Sequence, residues 1–148
     1  MADRPESEVI AVAADHAGFP LKQSLAGELQ ASGYRVLDLG TNNSDSVDYP
    51  EYGARMALAL LEGRAARGVL ICGTGIGVSI AANRHRGIRA AVCHNVETAR
   101  LARAHNDANV LVLGGRIVDE VTAKSCLRTF LDTKFEGGRH ERRVSMLD

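Results

Sequence analysis

The sequence has no tryptophan, and only three tyrosines and three phenylalanines among its 148 residues. So few aromatics leave no series of rings on which successive nucleic-acid bases stack. Net charge is missing too: 18 basic residues balance 18 acidic ones, a formal charge of +0. No global field therefore draws the chain to nucleic acid or to a membrane surface, and any anion site must come from local clustering. No apolar run approaches the roughly 20 residues of a membrane span, and no apolar signal core follows Met1. The cysteines, Cys72, Cys93 and Cys126, are odd in number and irregularly spaced. That suits a reducing cytoplasm better than a disulfide scaffold, and no CxxC pair suggests structural zinc. These absences predict a cytoplasmic protein that binds neither nucleic acid nor membrane and carries no metal.

What is present is a regular alternation. Short apolar runs at residues 9–14, 35–39, 68–72, 89–92 and 110–113 read as strands. Amphipathic stretches at about 20–31, 50–61, 76–84, 96–104 and 119–131 read as helices between them. Pro20 and Pro50 both suit a first helical turn, where no amide bond is lost. Near-continuous apolar strands are expected where helices cover both faces of a parallel sheet. The expectation is an α/β, three-layer, Rossmann-like sandwich with a five-stranded parallel sheet in the order 2-1-3-4-5. It forms one domain over residues 1–148, with a flexible N-terminus at 1–8 and a Gly- and Arg-rich tail at 132–148.

In such folds ligands bind beyond the carboxyl ends of the strands, so the polar residues there matter most. Asp15-His16-Ala17-Gly18 follows the first strand. Asp15 can accept bonds from sugar hydroxyls and His16 can donate to an anion near the next helix start; a helix cap beside a surface histidine is the plainer alternative. Cys72-Gly73-Thr74-Gly75-Ile76-Gly77-Val78-Ser79 runs from the third strand into a helix. Its alternating glycines let the backbone bend and leave amides facing a ligand, while the helix start favours a thiolate at Cys72. A thiolate beside free amides is a base next to an oxyanion hole, which suits proton removal alpha to a carbonyl and stabilisation of an enediolate. The alternative is a tight turn after an inert core cysteine.

Other phosphate loops fit less well. A P-loop needs GxxxxGK[ST], and the lysine is missing. The dinucleotide fingerprint is GxGxxG, whereas this loop is GxGxG, and Glu97 falls in a helix start rather than at a strand end. Low-molecular-weight tyrosine phosphatases need Arg-Ser where Val78-Ser79 stands, so nothing would hold phosphate against the thiol.

His105-Asn106-Asp107-Ala108-Asn109 precedes the last strand. His105 suits proton transfer near neutral pH, but a helix C-cap explains the cluster too, and its position before the strand keeps it out of the same subunit's crevice. Gly137-Gly138-Arg139-His140-Glu141-Arg142-Arg143, with Arg116 as companion, is a local knot of positive charge that either grips phosphate or is a solvated tail. Tyr49 places a hydroxyl near the pocket or anchors its helix. Cys93-His94 offers two metal ligands without a third at suitable local spacing.

Together these constellations resemble the ribose-5-phosphate isomerase B family. The likeness runs from Val9 to Val144 and rests on Asp15-His16-Ala17-Gly18, Asp48-Tyr49-Pro50, Cys72 to Asn83, His105-Asn106-Asp107 and Gly137-Gly138-Arg139-His140. The resemblance implies a homodimer with shared sites, no metal and no cofactor. It implies isomerisation of ribose 5-phosphate to ribulose 5-phosphate, in the non-oxidative pentose phosphate pathway. By motif, Cys72 looks like the base between C2 and C1, with Thr74 assisting at the oxygens. His105 matches the residue that opens the sugar ring, with Tyr49 nearby. Asp15 and Asn106 would contact the sugar, His16, Arg116, Arg139 and Arg143 the phosphate, and the amides of Gly73, Gly75, Ile76 and Gly77 the enediolate. Some members lack the cysteine and carry glutamate where Val78 stands, so this chain resembles the thiol-base type. Related proteins act on galactose 6-phosphate, allose 6-phosphate or erythrose 4-phosphate, which keeps those substrates open. A nucleotide-holding stress-type domain is the alternative of another class.

Overall fold

The computed structural model describes residues 8–148. Five strands alternate with helices: β1 Val9–Ala14, α1 Phe19–Ala31, β2 Arg35–Asp38, α2 Tyr49–Leu61, β3 Arg67–Cys72, α3 Ile76–Asn83, β4 Ala90–Val92, α4 Val96–Ala104, β5 Val110–Gly114 and α5 Glu120–Asp132. A short further helix, α6 Arg139–Ser145, closes the chain. Local chemistry sets several boundaries. Proline stands in the first turn of α1 and α2. A capping box between Asn95 and Thr98 starts α4, and Asp119 caps α5 by accepting from the Thr122 N–H at 2.7 Å.

All strands are parallel and lie in the order β2-β1-β3-β5-β4. The order 2-1-3-4-5 expected from the sequence is therefore wrong at its last two places. Burial gives the reason. Every residue of β5 is buried, whereas all three residues of β4 are only partly so. A wholly apolar strand needs cover on both faces and a neighbour on each side, so the short β4 takes the edge.

The two-residue period of the strands divides the core. Ile10, Val12, Val69, Ile71, Leu111 and Leu113 point to one face, where Leu25, Leu29, Leu127 and Phe130 of α1 and α5 cover them. Ala11, Ala13, Leu70, Cys72, Val110 and Val112 point to the other, against Tyr52, Met56 and Val78 of α2 and α3. The expected three-layer sandwich is what forms. Among the described residues no helix is long and apolar enough to cross a membrane.

Both ends of the described chain are held to the domain. The N-terminal segment expected to be flexible lies outside the described residues except for Glu8, which is firmly held. Its carboxylate accepts from Arg67 at 2.9 and 3.0 Å, and its carbonyl accepts from the Arg35 N–H at 3.0 Å. The tail also docks on its own domain despite its low apolar content. Arg103 donates to the Thr133 carbonyl at 3.2 Å, and the Glu136 N–H to the Ala104 carbonyl at 3.0 Å.

Candidate active site

From β1 the chain passes to β2 on one side of the sheet and then returns to β3 on the other. The carboxyl ends of β1 and β3 therefore flank a topological switch point, where parallel sheets open a crevice. Asp15-His16 follows β1 there, and Cys72 ends β3.

Asp15 is buried, and its Oδ1 accepts from the Gly18 N–H at 3.1 Å, leaving capacity at its other oxygen. The turn needs glycine at 18, because a Cβ there would stand 2.7 to 2.9 Å from Ile71. His16 Nδ1 accepts from the Val47 N–H at 3.2 Å. That bond assigns the ring proton of the neutral tautomer to Nε2, so His16 presents a donor to an incoming ligand.

Cys72 is 5% exposed and is followed by a tightly shaped loop. Gly75 sits in the left-handed region at φ 82° and forms the N-cap of α3. The Ile76 N–H donates to Thr74 Oγ1 at 3.2 Å, which leaves the hydroxyl hydrogen for a ligand oxygen but occupies one amide expected to face substrate. Tyr49 lies directly over Gly77, where a Cβ would come within 2.5 to 2.9 Å of its ring. After β5 the Arg116 N–H donates to the Gly73 carbonyl at 3.0 Å, and a Cβ on Gly73 would lie 3.5 Å from Arg116 Nη1. A guanidinium thus flanks the loop, and no described carboxylate pairs with it.

Cys93 and Cys126 are the remaining thiols. Burial pushes Cys93 up to about 11, and burial raises Cys126 as well, so both remain protonated core residues.

The remaining predicted residues form a second group at the opposite end of the sheet. His105 caps the end of α4, Asn106 follows it, and both precede β5. Cys72 pairs with Gly114 and Gly68 with Val110. Four strand intervals therefore separate the Cys72 level from the start of β5, about 13 Å along the strand axis. The tail joins this group. His140 stacks on His105 with ring centroids 4.2 Å apart and planes inclined by 13°. Burial, then the nearby His105 and Arg139 charges, holds the His140 pKa below its usual 6.5. Arg139 and Arg143 share one face of α6, four residues apart, and no described carboxylate pairs with either. A cavity of about 370 Å³ opens beside Asn106, lined also by Asn83, Arg89 and Leu147.

Against known proteins, residues 10–147 match the family described as Ribose/Galactose Isomerase. The chain belongs to this family. Ribose-5-phosphate isomerase B of Escherichia coli K12 is 46% identical over 138 residues, covering 93% of each chain. The solved structure of ribose-5-phosphate isomerase B from Clostridium thermocellum superposes with a TM-score of 0.93 at 48% identity and covers 94% of each chain. That from Thermotoga maritima also gives a TM-score of 0.93, at 50% identity, covering 95% of this chain and 97% of the other. Identity spread over nine-tenths of the length, with matching backbones, means that the fold and strand order are shared.

Glu136 was not singled out from the sequence, and His140 was named only as part of the Gly137-Gly138-Arg139-His140 motif. Glu136 and His140 reach His105, 31 and 35 positions away, only because the tail folds back, and no local spacing announces that. Lys22 is the third surprise: fully buried, it donates to Asp38 at 2.7 and 2.8 Å, and Asp38 in turn accepts from the Gly40 N–H at 2.9 Å. This pair ties α1 to the end of β2, beside the crevice.

Proposed function

We propose that the chain interconverts ribose 5-phosphate and ribulose 5-phosphate through a cis-enediolate, with Cys72 as the base. The reading rests above all on Cys72 at the switch-point crevice, between the carboxyl Asp15, the donor His16 and the cation Arg116. The Cys72 thiolate takes the C2 proton of the open-chain aldose, and the electron pair moves into the C1–C2 enediolate. Returning that proton to C1 gives the ketose, while Thr74 Oγ1 exchanges a proton between O1 and O2. Donors of the Gly73–Gly77 segment and the α3 N-terminus stabilise the negative oxygen as it forms. No redox partner enters, because the hydrogen leaves and returns as a proton. The relatives' names, together with the agreement of the motifs throughout the chain, favour the pentose over galactose 6-phosphate. The role follows as the non-oxidative interconversion of pentose phosphates.

His105 opens the furanose ring, Asn106 binds the sugar, and Arg139 and Arg143 grip the phosphate, all from a second copy of the chain. The distance of these residues from Cys72 within one chain supports a shared site. The apolar face formed by Leu58 and Leu61 of α2 with Ile76 and Ile80 of α3, each about half exposed, gives such a copy something to bury. Three free thiols suit a reducing cytoplasm.

Deuterium exchange tests the base. In heavy water the wild type is expected to place deuterium at the transferred position, whereas Cys72→Ala gives neither ketose nor exchange and keeps its fold by circular dichroism. Continued exchange in Cys72→Ala would remove the thiol from the mechanism.

A further inference from the structure

Glu136 holds one oxygen near two histidines without bonding to either. Its Oε1 stands 3.8 Å from His105 Nε2 and 3.6 Å from His140 Nε2, beyond hydrogen-bond reach in both cases. A donor atom from each of the three side chains lies within 4.8 Å of the other two. Their backbones are fixed independently. The His105 N–H donates to the Leu101 carbonyl at 2.9 Å, the Glu136 N–H to the Ala104 carbonyl at 3.0 Å, and the His140 N–H to the Gly137 carbonyl at 3.1 Å. Only side-chain rotation is then needed to bring the donors together.

We propose that His105, Glu136 and His140 form a binding site for a zinc(II)-class transition-metal ion. Two imidazole nitrogens and one carboxylate oxygen are the donor set that such ions prefer, and magnesium and calcium, which favour all-oxygen shells, do not. With metal–nitrogen bonds of 2.0–2.1 Å, tetrahedral donors stand about 3.3 Å apart. The observed spacing must therefore contract by a few tenths of an ångström to about 1.5 Å, with the two parallel rings tilting apart at their far edges. Glu136 is about half exposed, so an ion can enter from solvent, and the fourth position stays open to water.

The ion is not needed for the proposed chemistry and acts against it. Its bond to His105 takes the lone pair required for proton transfer. This consequence, unlike the binding, rests on the ring-opening role assigned to His105 above. Zinc is then an inhibitor held at the end of the sheet away from its own chain's thiol.

The test separates the two claims. Calorimetric titration with zinc chloride uses Cys72→Ala, which removes the one thiol beside the crevice as a competing ligand. One zinc per chain is expected. Adding Glu136→Gln or His140→Ala is expected to weaken binding by at least about tenfold, while adding His94→Ala leaves it unchanged. Absence of saturable uptake, or equal affinity after Glu136→Gln, overturns the site. Glu136 is exposed enough for its amide variant to fold even if His140→Ala does not. In activity assays with Cys72 intact, zinc is expected to slow ribose 5-phosphate turnover, a chelator to restore it, and Glu136→Gln to relieve it. Zinc inhibition undiminished in Glu136→Gln overturns the inhibitory claim, whereas loss of the proposed isomerase activity altogether would leave the calorimetric result standing.

Discussion

Two inactive variants, Cys72→Ala and Arg139→Ala/Arg143→Ala, are expected to regain activity when their subunits exchange. The register Cys72 to Gly114 and Gly68 to Val110 sets the start of β5 about 13 Å from the thiol level along the strands, and His105 precedes that start at the end of α4. Proton transfer needs heavy atoms within about 2.6–3.2 Å, so one chain cannot apply both groups to neighbouring atoms of one sugar. Two chains related by a twofold axis can, and they create two equivalent pockets. On the shared-site proposal each pocket takes Cys72 from one chain and His105, Arg139 and Arg143 from the other. In a mixed dimer one pocket collects both defects and the other collects neither, so it should work at about half the wild-type rate. Random exchange of equal amounts makes about half the dimers mixed, so the whole sample should recover about a quarter of wild-type activity. The assay follows ribulose 5-phosphate after incubation, with native mass spectrometry counting mixed dimers and an unincubated mixture as the blank. Mixed dimers in hand without activity would mean that the tail serves its own chain's pocket, and the shared-site reasoning would fail.

Asp38→Asn should lower stability by about 3 kcal/mol, the lower end for breaking a buried pair because Asp38 is itself 38% exposed. Lys22→Met, which removes the buried charge, should cost less; equal small losses in urea unfolding would show that the pair holds little. Iodoacetamide at pH 8 is expected to label Cys72 alone in the folded protein, because burial keeps Cys93, near 11, and Cys126 protonated. Mass spectrometry should count one adduct folded and three in urea, and labelling of Cys93 in the folded state would contradict its burial.

The legible parts of the molecule are those that local chemistry dictates. Pro20 and Pro50 mark helix starts because a fixed φ acts within a turn of its own position. Asp15 and Cys72 could be placed at strand ends for the same reason, since each directly follows or closes an apolar run. The exchange of β4 and β5 was hidden, because alternation tells which face a residue covers and says nothing of the neighbouring strand. Only the contrast between the unbroken Val110-Leu111-Val112-Leu113 run and the short Ala90-Ala91-Val92 hinted at centre and edge.

The tail was less legible. Gly137 and Gly138, at φ 67° and 57°, turn the chain so that α6 lays His140 on His105. That stack joins residues 35 positions apart, and its partners are not apolar, so neither periodicity nor hydrophobicity could reveal it. The same folding-back gathers His105, Asn106 and the α6 arginines at one end of the sheet while Asp15, Cys72 and Arg116 stand at the other. A sequence names the members of such a site one motif at a time. Which of them meet depends on the tail's docking and, if the site is shared, on a surface between two chains.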